Sequence, residues 1–497
     1  MKRRCFSLLL TTTALVLAWL TTTALVIVPT SRAGQTPGPA FAPDIPVSHH
    51  DRVYTADQWS NTVTVTDPVS NKLLGVIRLG DPTPANLSPL YTGQVLVHGM
   101  GFSFDHRTLA VVSIASNSVA FIDTLTNTVK HITYVGRSPH EVFFTPDNKE
   151  IWVTVRGENY ISVLDGTTYQ EKTRIVVPGG PGMTMFSPDG KYGYVCSSFT
   201  PETVVLSVVN HQIVGRVSQA SRFCPDIATT PDGKQVWFTL KDTGKTEVFD
   251  AHPPFSVLKT LETGPITNHV NIVRNAHGTF AYVTVGGHNE VQVFRTDTFA
   301  RVTTISVGAL PHGIWPSGDG TRIYVGLENG DRLVAIDTLT NRVVATSPIG
   351  QGCQAIVYVP NAVPSGTGTQ GLVSLGIAEQ ATHLSLVPLE HGKPASGRQA
   401  PTSVSLFDQG LVQVLQAAVT GLKPMQPYIL ALSANPNGAG TQEPLAAFKT
   451  NQAGAAIVNA VGPIRQIVRG ENKILRRYLV IVPGTAGHYG TPVQVQK

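Results

Sequence analysis

Charge and cysteine are both scarce in this sequence. Asp, Glu, Lys and Arg make up 14% of it, and its 497 residues include four cysteines. The basic residues are scattered, without the interleaved aromatics of a nucleic-acid groove, so no nucleic-acid partner is expected. Cys5 sits in the N-terminal stretch; Cys196, Cys224 and Cys353 form neither C-x-x-C nor C-x-x-C-H, which argues against a zinc ribbon, covalent haem or a disulfide framework. A single Cys196–Cys224 bridge is conceivable, but the adopted reading is buried free thiols. No Gly-rich loop opens a helix after a strand, no G-x-S-x-G elbow appears and no carboxylate pair stands out. Nucleotide binding, nucleophilic hydrolysis and glycoside hydrolysis therefore have no residues to carry them.

What is abundant is turn chemistry. With 46 Gly and 35 Pro, the composition fits a turn-rich β protein, and the length asks for two domains. Residues 1–33 carry a basic head (Lys2, Arg3, Arg4), an apolar body from Phe6 to Val28 and small residues at Ser31 and Ala33. This reads as a secretion signal and implies a periplasmic, cell-surface or secreted protein. The body is also long enough to remain as a membrane anchor, and Arg3-Arg4 faintly suggests twin-arginine export. Cleavage after Ala33 would lower the formal charge from +5 to 33 basic against 32 acidic residues, so the basic isoelectric point owes much to the signal.

Between residues 50 and 360 one pattern recurs: an apolar run, an Asp-Gly type turn, an alternating strand, a second one ending in Asp, a Thr-Asn turn and a closing strand. The turn markers Asp105, Asp147, Asp189, Asp232, His277 and Asp319 are 42 to 45 residues apart. A period in the forties with four short strands per unit is that of a β-propeller blade. Strand triplets begin near Val53, Leu109, Ile151, Tyr192, Val236, Ala281 and Ile323. Inner strands begin near His98, His140, Gly182, Pro225, His269, His312 and Cys353. Seven blades follow, the last inner strand (CQAIVYVP) completing the sheet opened at Val53 and removing the free edges of an open array.

These repeats resemble the YVTN family of seven-bladed surface-layer and periplasmic propellers. The likeness rests on Ile323-Tyr324-Val325, Ala281-Tyr282-Val283-Thr284, Ser60-Asn61-Thr62-Val63-Thr64-Val65, FSPDGK (186–191), TTPDGK (229–234) and IDTLTN (336–341). It implies extracellular or envelope-associated binding, with enzymes a minority. A fold alone assigns no activity.

The turns entering the inner strands ring one mouth of a propeller channel. Here they carry His98, His140, His269 and His312, with Cys224, Asp226, Cys353 and Gln354 beside them. Two readings compete. Either Pro-His-Gly is a way of writing the repeat, the imidazoles capping backbone groups, or the four histidines hold a transition metal such as Zn, Cu or Ni, or a polar ligand. The loops between second and third strands add Gln58, Trp59, Arg156, Glu158, Lys241, Asp242, His288, Glu290 and Glu328. The Pro-rich insertion 81–97 is either a lid over this face or a spacer.

Past a Pro/Gly/Thr-rich linker (361–371) the period disappears and eight longer strands follow from 372 to 497, reading as an antiparallel β-sandwich. GLKPMQPYILAL resembles a tyrosine-bearing corner of adhesive modules. The leading functional expectation is an exported, envelope-associated binding protein using the channel mouth for a ligand or partner. The alternative is a periplasmic metal-dependent oxidoreductase or lyase using the four histidines.

Overall fold

Seven four-stranded antiparallel sheets occupy residues 52–359 of the computed structural model. It describes residues 46–80, 95–376, 381–390, 393–395, 402–408, 412–462, 464, 468 and 476–497. The expected signal or anchor (1–33) and most of the expected lid (81–94) lie outside the described residues. Among those described, no helix is long and apolar enough to cross a membrane.

Blade 1 is closed as its repeat pattern requires. Cys353–Val359 is its inner strand and pairs antiparallel with Arg52–Asp57, Tyr54 opposite Val357, followed outward by Thr62–Asp67 and Lys72–Arg78. Blades 2 to 7 take their inner strands from Val97–Phe102, Pro139–Phe144, Pro181–Phe186, Ile227–Thr229, Thr267–Asn275 and Pro311–Pro316. The inner three strands are buried almost throughout, because both sheet faces pack on neighbouring blades; the outer strands are wet, Glu171–Val176 burying only Ile175. Lys, Arg and Thr on those outer strands guard the exposed edges against further pairing.

The recurring residues have structural tasks. In the Asp189 turn, Ser187 Oγ and the Lys191 amide donate to Asp189 Oδ1, while Gly190 takes a left-handed φ of 72° that a side chain would resist. The tyrosine of the YVT phrase fastens one blade to the next: Tyr282 Oη donates to Asn341 Oδ1 at 2.6 Å, and Tyr194 Oη to the Ala251 carbonyl at 3.0 Å. Tyr324 Oη does the same to the Pro68 carbonyl, so in these three blades a tyrosine on the second strand reaches the turn that follows the third strand of the next blade.

Cys196 and Cys224 form a disulfide, which corrects the expectation of free thiols. Sequence spacing hid it because the second strand of blade 4 lies against the entrance of blade 5. The equivalent contact between blades 7 and 1 has Gly326 facing the buried free thiol of Cys353, where no second sulfur is present.

The C-terminal domain is the expected small antiparallel β unit, and its two faces belong to one continuous sheet. Its eight main strands run in the order Gln442–Lys449, Pro427–Ser433, Tyr478–Thr485, Gln494–Gln496, Thr382–Glu390, Thr402–Asp408, Gln413–Val419 and Ala456–Gly462, and the first and last come back together as a nearly closed barrel. Val404, Leu406, Leu415, Tyr428, Leu430, Leu479 and Ile481 fill it. At the GLKPMQPY corner the Lys423 amide donates to Tyr428 Oη at 3.2 Å. The linker is packed rather than free: Asn127 Nδ2 donates to the Gly368 and Gln370 carbonyls, and Val373 bridges to Val76 of the outer strand of blade 1.

Candidate functional site

The barrel sits over the channel mouth. His383 Nε2 lies 3.0 Å from Asp331 Oδ2, Asn329 Nδ2 donates to Ser403 Oγ, Gln416 donates to Glu328, and Trp59 stacks on Phe407 at 5.4 Å. Ile266 and Leu310 of the propeller pack with Ala418 and Ala455 of the barrel. These contacts turn an open rim into a cavity of about 540 Å³ between the two domains, within the range of small-molecule sites.

The propeller's side of the cavity carries His98, His140, His269, His312 and Gln354 from the inner-strand entrances, and Arg156, Lys241, Asp242 and Glu328 from the loops above. Lys449, Asn451, Ile457 and Asn459 of the barrel face them. Three residues expected at the mouth from the repeat pattern sit elsewhere. Trp59 is taken up by the domain contact, and half-exposed His288 lies beside Glu290 (3.5 Å) on the rim. Asp226 is buried outside the lining, its carboxylate 3.7 Å from His269 Nδ1.

A β-bulge at the inner-strand entrance explains how these residues come to the channel. In blade 3 the register jumps between Pro139 and Val142, in blade 2 between Val97 and Met100, and in blade 7 between Pro311 and Ile314. Each bulge frees two residues from the ladder and re-aims their side chains. His98, His140 and His312 take the first freed position, but His269 takes the second. Its amide donates to Thr284 Oγ1 just as that of Glu141 donates to Thr154 Oγ1. Glu141 is thus the residue that sequence reading missed. The available signal was the acid directly after His140 in Pro-His-Glu, where blade 7 has Pro-His-Gly and blade 2 Val-His-Gly.

The four imidazoles form two pairs, His98 with His140 (ring centroids 4.3 Å apart) and His269 with His312 (4.6 Å). They do not gather around one point. Among the described residues, the group of three or more potential metal ligands within 4.8 Å of one another is His98, His140 and Glu141. His140 Nδ1 stands 3.0 Å from the Gly182 carbonyl, which fixes the proton on Nδ1 and leaves Nε2 with a lone pair. Glu141 leans over Gly99, where a Cβ would collide with its Oε2; backbone groups of Met100 and Val142 support the carboxyl, but among the described residues Oε2 receives no hydrogen bond. Burial, reinforced by Asp226, pushes the Glu141 carboxyl well above its ordinary range. Burial also holds His98 down at about 3, helped by the nearby His312 and Arg156, and holds His140 well below its usual value.

The second pair is already partnered. His312 Nδ1 is 3.1 Å from Glu328 Oε2. Burial alone would raise the Glu328 carboxyl, but His312, Lys241 and Gln354 outweigh it and hold it at about 2. Burial lowers the pKa of His312 itself, and its Nδ1 meets the carboxylate of Glu328 as a close charge contact rather than as an aligned hydrogen bond. Phe223, also in the lining, has two cations against its ring, Arg156 Cζ at 5.1 Å and Lys241 Nζ at 5.8 Å from the centroid. Among the described residues neither cation has a carboxylate within ion-pair distance, Arg156 Nε makes no hydrogen bond, and burial lowers the pKa of both.

No protein-family model and no curated protein matches the chain. Among solved structures it is similar to a functionally unknown protein from Desulfotomaculum acetoxidans, at 15% identity and a TM-score of 0.51, over 62% of this chain and 98% of that one. It is also similar to a Kuenenia stuttgartiensis hydrazine synthase chain, at 19% identity and a TM-score of 0.47, over 52% and 88%. Likeness at this level concerns the propeller architecture alone.

Proposed function

We propose that the protein binds a small organic anion in the cavity between the propeller mouth and the barrel. The observation that carries this reading is the pair of cations Arg156 and Lys241, held against Phe223 in a part-buried cavity with neutral imidazoles below and, among the described residues, neither in ion-pair contact with a carboxylate. Two part-buried positive charges, Arg156 with no acid acting on it and Lys241 answered only at longer range by Glu328 and Asp242, are costly unless something of opposite sign visits them. Asn451 and Asn459 supply neutral hydrogen-bonding groups opposite, and the aromatic face suits a planar carboxylate or a short phosphate ester. The barrel covers the mouth, which favours a small molecule over a macromolecular partner. No reaction is assigned.

Export belongs to the same proposal. The N-terminal sequence and the Cys196–Cys224 disulfide, which suits an oxidising compartment, support it. The repeat phrases support kinship with the YVTN type of envelope propeller. Fusing residues 1–33 to a reporter active only outside the cytoplasm tests export directly.

Binding is tested by thermal shift with inorganic phosphate and a panel of mono- and dicarboxylates, alongside native mass spectrometry of the purified chain. The expected result is a saturable rise in melting temperature with one anion class, abolished in the Arg156→Met/Lys241→Met double variant. No response to any anion, with no small molecule co-purifying, would overturn the reading.

A further inference from the structure

Beneath the anion cavity, the first histidine pair and its acid have a geometry that the second pair lacks. His98, His140 and Glu141 are 7%, 5% and 2% exposed, and one donor atom from each lies within 4.8 Å of the others. Two nitrogens and one carboxylate oxygen suit divalent first-row transition ions, and three protein ligands leave coordination positions open. One ligand is held from behind, since the Gly182 carbonyl takes the Nδ1 proton of His140; among the described residues the buried Nδ1 of His98 has no hydrogen-bond partner. Gly99 is required as well, since a side chain there would strike the Glu141 carboxyl. A buried carboxyl oxygen without a hydrogen bond calls for a partner; Glu141 Oε2 shares that state with Glu328 Oε2 and Asp226 Oδ1, but of the three it is Glu141 that lies in a group with two imidazole nitrogens.

We infer that His98, His140 and Glu141 bind one divalent first-row transition ion at the floor of the channel mouth, with its open positions turned toward the cavity. The His269 and His312 pair takes no part, because His312 is engaged by Glu328 and His269 stands against Asp226. Donors around one such ion sit about 3–3.5 Å apart, so binding draws the three side chains inward by a rotation about their side-chain bonds. An anion in the cavity could complete the coordination, but the metal site does not require one.

The test is titration of chelator-treated protein with cobalt(II) and zinc(II), read by visible d–d absorption of cobalt and by metal analysis after gel filtration. One ion per chain is expected for the wild type. Glu141→Gln and His140→Ala should each weaken binding by at least 10-fold, while His269→Ala retains it; melting curves report whether each variant is folded. Glu141→Gln is nearly isosteric and removes no salt bridge, so a folded variant that loses metal identifies the ligand. No stoichiometric metal in the wild type would overturn the inference, as would binding unchanged in Glu141→Gln. Equal loss in His269→Ala would overturn it in favour of a four-histidine site. Anion binding by a wild type that takes up no metal on titration would refute this site while leaving the cavity reading intact.

Discussion

The two histidine pairs at the channel mouth come from the same repeat, yet their chemistry differs. His312 faces a charge that is already answered, since Glu328 is ionised and held by His312, Lys241 and Gln416; His269 stands 3.7 Å from Asp226, whose carboxyl burial pushes well above its ordinary range, and no third ligand joins that pair among the described residues. His98 and His140 sit over Gly99 and Glu141, where an acid has been buried with no ionic partner. A histidine facing a settled carboxylate is structural, whereas histidines facing an unsettled one are available to a ligand. The difference lies in which bulge position carries an acid and which repeat grows a glutamate from the loop above.

The largest expected effect breaks the settled pair. His312→Ala leaves Glu328 buried with less compensation and should cost about 3 kcal/mol in chemical denaturation; His140→Ala, which loses one hydrogen bond to a backbone carbonyl and some packing, should cost about 1–2 kcal/mol without metal. Equal costs would erase the contrast. The acid limb is next. Glu328 has a folded pKa depressed from 4.5 to about 2, so its stabilisation is present above the unfolded value and disappears as pH falls from about 4.5 toward 2. Glu328→Gln should therefore flatten that limb of the stability curve, by on the order of 3 kcal/mol at most; an unchanged limb would show that Glu328 is not held ionised. For whichever anion the wild type binds, Arg156→Met alone should weaken it about 10-fold by isothermal titration. Smallest of all, His288→Ala on the rim should change stability by less than about 0.5 kcal/mol and leave both cobalt and anion binding intact. Loss of either would move the site outward.

Much of this was legible in the sequence because a repeat shows its period many times over. The seven blades, the closure by Cys353–Val359 and the eight C-terminal strands all follow from alternation and turn residues, which are local. The docking of the barrel over the mouth was not legible. It depends on contacts such as Trp59 with Phe407 and His383 with Asp331, each between residues hundreds or tens of positions apart and each unremarkable alone. For the same reason Trp59 and His288 looked like rim ligands although the cavity excludes them. The position of His269 was hidden by the longer hairpin of blade 6, Thr267–Asn275 with Gly278–Val285, which shifts the turn marker relative to the bulge. Glu141 was missed because a residue beside a conspicuous histidine is normally read as pointing away from it; only a bulge brings both to one place.

The most direct measurement is anomalous scattering from crystals of the chelator-treated protein soaked in cobalt(II), recorded on both sides of the cobalt edge. The account predicts one strong peak per chain about 2.1 Å from a ring nitrogen of His98, a ring nitrogen of His140 and a carboxylate oxygen of Glu141, with no peak between His269 and His312. A peak centred on all four imidazoles, a peak at the second pair, or none at the channel mouth would contradict it.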